Sequence, residues 1–220
     1  MNIALAIDHT LLKPEARGSD IEKLCREAAE HGFFSVCVNS SWVPLAASLL
    51  HGTNVAVAAV TGFPLGAMSS AAKAFETKKA IEDGATEIDT VLHVGRLKQG
   101  DDAYVLDDLR GVVAAAQGRT VKVIFETCLL NDEEKERACR LSVQAGATFV
   151  KTSTGFSTAG ATLDDVKLMT RVVAGRCHVK ASGGIRDRAA ALAMIEAGAT
   201  RLGTSAGIAI LAGETGTSAY

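Results

Sequence analysis

A chain of 220 residues, 48% apolar and 22% charged, is long enough for one domain with a sizeable core. A formal net charge of −2 without a basic run gives no electrostatic reason to expect nucleic acid, and no apolar stretch reaches the roughly 18 residues of a membrane span. The five cysteines are odd in number and form no CxxC, which argues against a disulfide framework or thiolate zinc site; with no basic, apolar signal segment at residues 1–8, a cytoplasmic protein with reduced thiols is expected.

A repeated unit organises the chain. Glu82-Asp83-Gly84-Ala85-Thr86 precedes Glu87-Ile88-Asp89, Gln144 to Thr148 precedes Phe149-Val150-Lys151, and Glu196-Ala197-Gly198-Ala199-Thr200 precedes Arg201-Leu202-Gly203. A looser copy runs from Glu30 into Phe34 to Val38. Each copy is a helix stop, a glycine and a short strand.

In chain order the pattern predicts eight strand–helix units. The strands fall at Ile7 to His9, Phe34 to Val38, Asn54 to Val60, Glu87 to Leu92, Thr120 to Glu126, Phe149 to Thr152, Cys177 to Ala181 and Arg201 to Gly203. The helices between them begin near Ser19, Trp42, Ser69, Asp102, Asp132, Leu163, Arg186 and Ser205. Alternation of this kind gives a parallel sheet covered on both faces. Eight units in one 220-residue domain fit an α/β fold of the closed (β/α)8 barrel type, with a flexible tail over residues 213–220. An open doubly wound sheet is the alternative, but no nucleotide fingerprint follows the first strand.

Chemistry in such barrels lies at the carboxyl ends of the strands. The polar residues there are Asp8, His9, Asn39, Thr61, Asp89, Glu126, Lys151 and Lys180. Lys151 closes a buried strand just before Thr152-Ser153-Thr154-Gly155, where desolvation disfavours its ammonium. Lys180 closes the next strand, and two like charges at short range cannot both ionise cheaply. One lysine is then a neutral amine able to attack a carbonyl, with Asp89 beside it for proton transfer; the spacing leaves open which one attacks. Ser182-Gly183-Gly184 and Gly203-Thr204-Ser205 each lead toward a helix amino terminus, the form of a phosphate cradle.

These segments, with Ile7 to Pro14 and Val60-Thr61-Gly62-Phe63-Pro64-Leu65-Gly66, resemble the short bacterial deoxyribose-phosphate aldolases over nearly the whole chain. The resemblance implies a (β/α)8 barrel, without metal or other cofactor, that reversibly cleaves 2-deoxyribose 5-phosphate to glyceraldehyde 3-phosphate and acetaldehyde. It makes Lys151 the Schiff-base lysine, Lys180 the second lysine that depresses its pKa, and Asp89 the relay carboxylate. Thr152, Gly155, Ser182, Gly183, Gly184, Gly203, Thr204 and Ser205 become the substrate and phosphate contacts, and Tyr220 the terminal tyrosine that assists proton transfer. It further implies a place in deoxyribonucleotide and carbohydrate degradation, with small phosphorylated sugars and aldehydes as partners and a homodimer as a possible assembly. Thr90, His93 and Ser40 depart from the commonest pattern of that family, and Cys37 reads as a packed thiol.

Two rivals follow from the residues alone. His9, His93, Asp8 and Glu126 could ligate a metal in a barrel hydrolase or lyase, although they show no tight ligand spacing. A barrel that binds phosphosugars without catalysis would need only the glycine loops.

Overall fold

The computed structural model describes residues 2–216. Eight parallel strands close on themselves in sequence order: β1 Ile7–Leu11, β2 Ser35–Asn39, β3 Ala56–Thr61, β4 Glu87–Val91, β5 Thr120–Ile124, β6 Phe149–Lys151, β7 His178–Ser182 and β8 Arg201–Thr204. The seam is β1 against β8, with Asp8 beside Gly203 and His9 beside Thr204. The fold is a (β/α)8 barrel.

The helices are α1 Gly18–His31, α2 Val43–Leu49, α3 Ser70–Glu82, α4 Val94–Lys98, α5 Asp102–Ala115, α6 Asp132–Ala145, α7 Leu163–Val173, α8 Arg188–Glu196 and α9 Gly207–Ala212. Their starts are set by side chains that accept the first free N–H groups: Ser69 for α3, Asn131 for α6 and Thr162 for α7. The glycines of the repeat sit where the chain turns from helix to strand, at φ 110° for Gly84, 87° for Gly146 and 116° for Gly198. An L side chain rarely adopts such angles, so the repeat read from sequence is a backbone requirement.

Several boundaries differ from the sequence expectation, and one helix was not expected. Strand β5 stops at Ile124 because Glu126 turns into the left-handed region, at φ 57°. Helix α8 starts at Arg188, since Asp187 is its cap and accepts from the Ala190 N–H. Helix α4 was not expected; its five residues are too few to show a period.

Strand alternation divides the core in two. Outward residues such as Val36, Val38, Ile88, Val123, Val150 and Val179 pack under the helices. Inside the barrel, Cys37, Ala58 and Val60 with Leu12 form a small apolar wall on the β2–β3 side. From β4 round to β1 the interior also carries buried charged side chains.

Candidate active site

Alternation places Glu87 and Asp89 of β4 on the same inner face, two residues apart. Lys122, Lys151, Lys180 and Arg201 face them from β5, β6, β7 and β8, and Asp8 completes the ring from β1. All seven are buried, with exposures from 0 to 6%. Lys151 and Lys180 occupy paired positions on neighbouring strands.

The hydrogen bonds form one network. Asp89 Oδ2 accepts from Lys151 Nζ at 2.8 Å and from Lys180 Nζ at 2.8 Å. Its other oxygen accepts from Lys122 Nζ at 2.6 Å, and Lys122 reaches Glu87 Oε2 at 2.6 Å. Lys180 also donates to Asp8 Oδ2. Arg201 donates to Asp8 Oδ1 at 2.8 Å and Glu87 Oε2 at 3.2 Å, with its guanidinium 3.3 Å from the centroid of Phe34. Three carboxylates therefore face four cationic side chains, leaving one positive charge over if all ionise.

Lys151 is the member most easily discharged. Among the described residues its one ion-pair partner is Asp89, whose oxygens it shares with two other lysines. Burial lowers its amine below the ordinary 10.5, and the Lys180 cation adds to this against the pull of Asp89. Burial is thus a larger cause than the neighbouring cation. The reason is that the Lys180 charge is itself balanced. Burial alone would lower Lys180, but Asp8 and Asp89 outweigh it and hold that ammonium well above the ordinary value. Burial also opposes the charge of Asp89, yet Lys122, Lys151 and Lys180 hold its carboxyl well below 3.8. The arrangement supplies one amine with a lowered pKa, one with a raised pKa and a carboxylate oxygen touching both.

Sequence reading missed Lys122, Glu87 and Arg201. Glu87 was detectable, because it lies two residues before Asp89 and must share its face.

At the loops, Thr152 Oγ1 donates to the Ser182 carbonyl and accepts from the Ser182 N–H, both at 3.0 Å. Thr204 Oγ1 donates to the Ile185 carbonyl at 2.7 Å, and Ser182 Oγ donates to the Ser153 carbonyl. These hydroxyls shape the loops. Gly183 and Gly184 follow at φ 89° and 79°, and Gly155 lies at 88°. A Cβ at Gly203 would lie 3.0 Å from Lys180 Cε and 2.9 Å from Ser182 Cβ, so this glycine leaves room for the lysine. The two helix starts are not equivalent as expected. Asp187 already fills the amino end of α8 with a carboxylate, whereas α9 has no side-chain cap. Ser205 lies in the turn leading to α9.

The residues considered for a metal do not converge. His9 pairs with Glu27 at 2.8 Å, His93 caps α4, Asp8 belongs to the lysine network and Glu126 binds Thr154. Among the described residues no cluster of three such side chains forms a ligand set. Ser40 donates to Glu76, which also accepts from the Gly62 N–H at 2.8 Å. Cys37 is buried in the apolar wall, and burial pushes its thiol up. Of the tail, the Gly216 N–H donates to the Arg186 carbonyl at 2.8 Å; Tyr220 lies outside the described residues.

A buried lysine whose ammonium is disfavoured, beside a carboxylate and a second lysine, is the arrangement that an imine-forming aldolase requires. The comparisons agree. The family model described as DeoC/LacD family aldolase matches residues 2–213. The deoxyribose-phosphate aldolase of a Geobacillus species is 59% identical over 220 residues, covering 100% of this chain and 99% of that one. Among solved structures, a Coccidioides immitis protein superimposes with a TM-score of 0.95 at 44% identity, over 96% of this chain and 85% of that one. The tetrameric deoxyribose phosphate aldolase of Aeropyrum pernix gives 0.89 at 35%, over 96% and 89%. The chain belongs to the DeoC/LacD family of aldolases.

Proposed function

We propose that Lys151 is the amine through which this protein, a class I aldolase, reversibly cleaves 2-deoxy-D-ribose 5-phosphate to D-glyceraldehyde 3-phosphate and acetaldehyde. Neutral Lys151 adds to the aldehyde carbon of the open-chain sugar, and the carbinolamine loses water to an iminium. A base takes the C3 hydroxyl proton and the C2–C3 bond breaks. Its electron pair enters the iminium to give an enamine, while C3 leaves as the aldehyde of the phosphorylated product. The enamine is protonated at C2, and water hydrolyses the iminium to acetaldehyde and the free amine.

The observation that carries this reading is Asp89 Oδ2, 2.8 Å from both amines. A proton can pass between Lys151 and Lys180 through that oxygen without a side chain moving. Lys180 is the donor and Asp89 the relay. Thr152, Gly155, Ser182, Gly183, Gly184, Gly203, Thr204 and Ser205 hold the sugar phosphate, with backbone N–H groups near the start of α9 favoured over the acid-capped α8. Tyr220 is proposed to assist proton transfer. A homodimer in the cytoplasm is proposed, its assembly to be tested by light scattering.

The test of the amine is borohydride reduction in the presence of acetaldehyde, followed by peptide mass mapping. The ethyl adduct is expected on Lys151. An adduct on Lys180 instead, or none in an active preparation, overturns the assignment.

A further inference from the structure

We propose that Glu126 is a positioning residue for sugar-phosphate binding: it anchors the loop that follows Lys151 and acts on the substrate only through that loop. This inference rests on the reading of the glycine loops given above.

Glu126 has three features that ordinary loop residues lack together. It is a non-glycine residue in the left-handed region, at φ 57° and ψ 64°, which costs on the order of 1 kcal/mol or more. The residue is buried, with 5% exposure. Both oxygens are spent on one residue of the next strand's loop: Oε1 accepts from the Thr154 N–H at 3.3 Å, and Oε2 accepts from the Thr154 hydroxyl. The strained backbone aims the side chain across to β6, and the paired bonds offset the cost of burying it.

What it anchors is continuous with the proposed phosphate loops. Thr154 Oγ1 accepts from the Phe156 N–H at 3.0 Å, and the Phe156 ring meets Phe63 edge-on at 5.3 Å between centroids. Upstream, Thr152 and Ser153 bond to Ser182. Downstream, the Ala161 N–H donates to the Gly183 carbonyl at 3.0 Å, and a Cβ at Gly183 would lie 2.9 Å from Gly160 Cα. The Gly183–Gly184 turn is therefore braced on one side by residues 152–161. Glu126 is the charged group that pins that brace to the barrel, without joining the lysine network.

The experiment compares Glu126→Gln and Thr154→Val with the parent enzyme in two assays. One is steady-state cleavage of 2-deoxyribose 5-phosphate. The other is the rate of borohydride trapping with acetaldehyde alone, which uses Lys151 but needs no phosphate site. Each variant is expected to raise KM at least about tenfold, the usual effect of losing a charged hydrogen bond. Trapping should stay within about twofold of the parent, with the same pH profile, since no hydrogen bond to Lys151 is altered. A double variant should cost no more than the worse single one, because both remove the same link. A parallel fall in KM-normalised turnover and trapping would mean general loss of fold and overturn the proposal, as would an unchanged KM in both variants. Absence of deoxyribose phosphate cleavage by the parent would instead overturn the functional reading itself.

Discussion

Lys151 and Lys180 sit side by side on neighbouring strands and donate to the same oxygen of Asp89, yet their acidities move in opposite directions. The difference lies in the second carboxylate. Lys180 has Asp8 as well as Asp89, and Lys151 does not. One extra ion pair thus sets the two amines apart.

Replacing Lys180 by leucine removes a cation that pushes the Lys151 amine down. The Lys151 pKa should rise, because Asp89 then has one fewer partner. The acid limb of the borohydride-trapping profile should shift to higher pH, and kcat should fall by about a hundredfold or more, as when an acid–base partner is lost. Near-parental kcat, or a limb that moves down, would contradict the role given to Lys180.

The pH dependence of the parent follows from the same amine. Its reactive form is neutral, so trapping should rise as pH rises through the folded pKa of Lys151. That midpoint should lie below the ordinary 10.5. A rise centred at or above the ordinary lysine value would show that burial does not discharge the residue.

Acid should unfold the barrel through Asp8 and Asp89, whose carboxyls are held below the ordinary 3.8. Groups with depressed folded pKa values stabilise above the unfolded value and lose that contribution as pH falls through the folded one. Urea midpoints measured from neutral pH down past 3.8 should therefore drop. The Asp89→Asn variant should show a shallower drop, and an identical slope would remove Asp89 from the account.

Lys122→Met should be the most destabilising single change at the site. Among the described residues it leaves Glu87 with Arg201 alone and Asp89 with Lys151 and Lys180, with two buried ion pairs of 2.6 Å lost. Removing one partner of a buried pair costs about 3–5 kcal/mol. Equilibrium unfolding in urea measures it, and a loss below about 1 kcal/mol would mean Arg201 and Lys180 take over the charge.

Gly203→Ala tests how tightly Lys180 is seated. The added methyl would press on Lys180 Cε and Ser182 Cβ. Overpacking of this kind costs about 1–3 kcal/mol, and kcat should fall with stability because the ammonium is displaced. Unchanged melting temperature and kcat together would refute it.

The barrel was legible because its glycine-ended units repeat and its strands are apolar. The meeting of Lys151, Lys180 and Asp89 was legible because side chains at strand ends converge on one mouth of such a barrel. Lys122 was not, since a lysine inside Thr120-Val121-Lys122-Val123-Ile124 looks like the wet side of a half-exposed strand. Only closure turns that side inward. Arg201 hid for a related reason: the start of a strand carries no expectation of function, and its partners Asp8 and Glu87 are 193 and 114 residues away. The Asp187 cap was a local signal that was overlooked.

The seam between β1 and β8 has a consequence for synthesis. Asp8 emerges first, whereas Arg201 comes from the last strand to be made. The charge ring cannot be complete until β8 docks against β1, so the buried network forms only when the barrel closes.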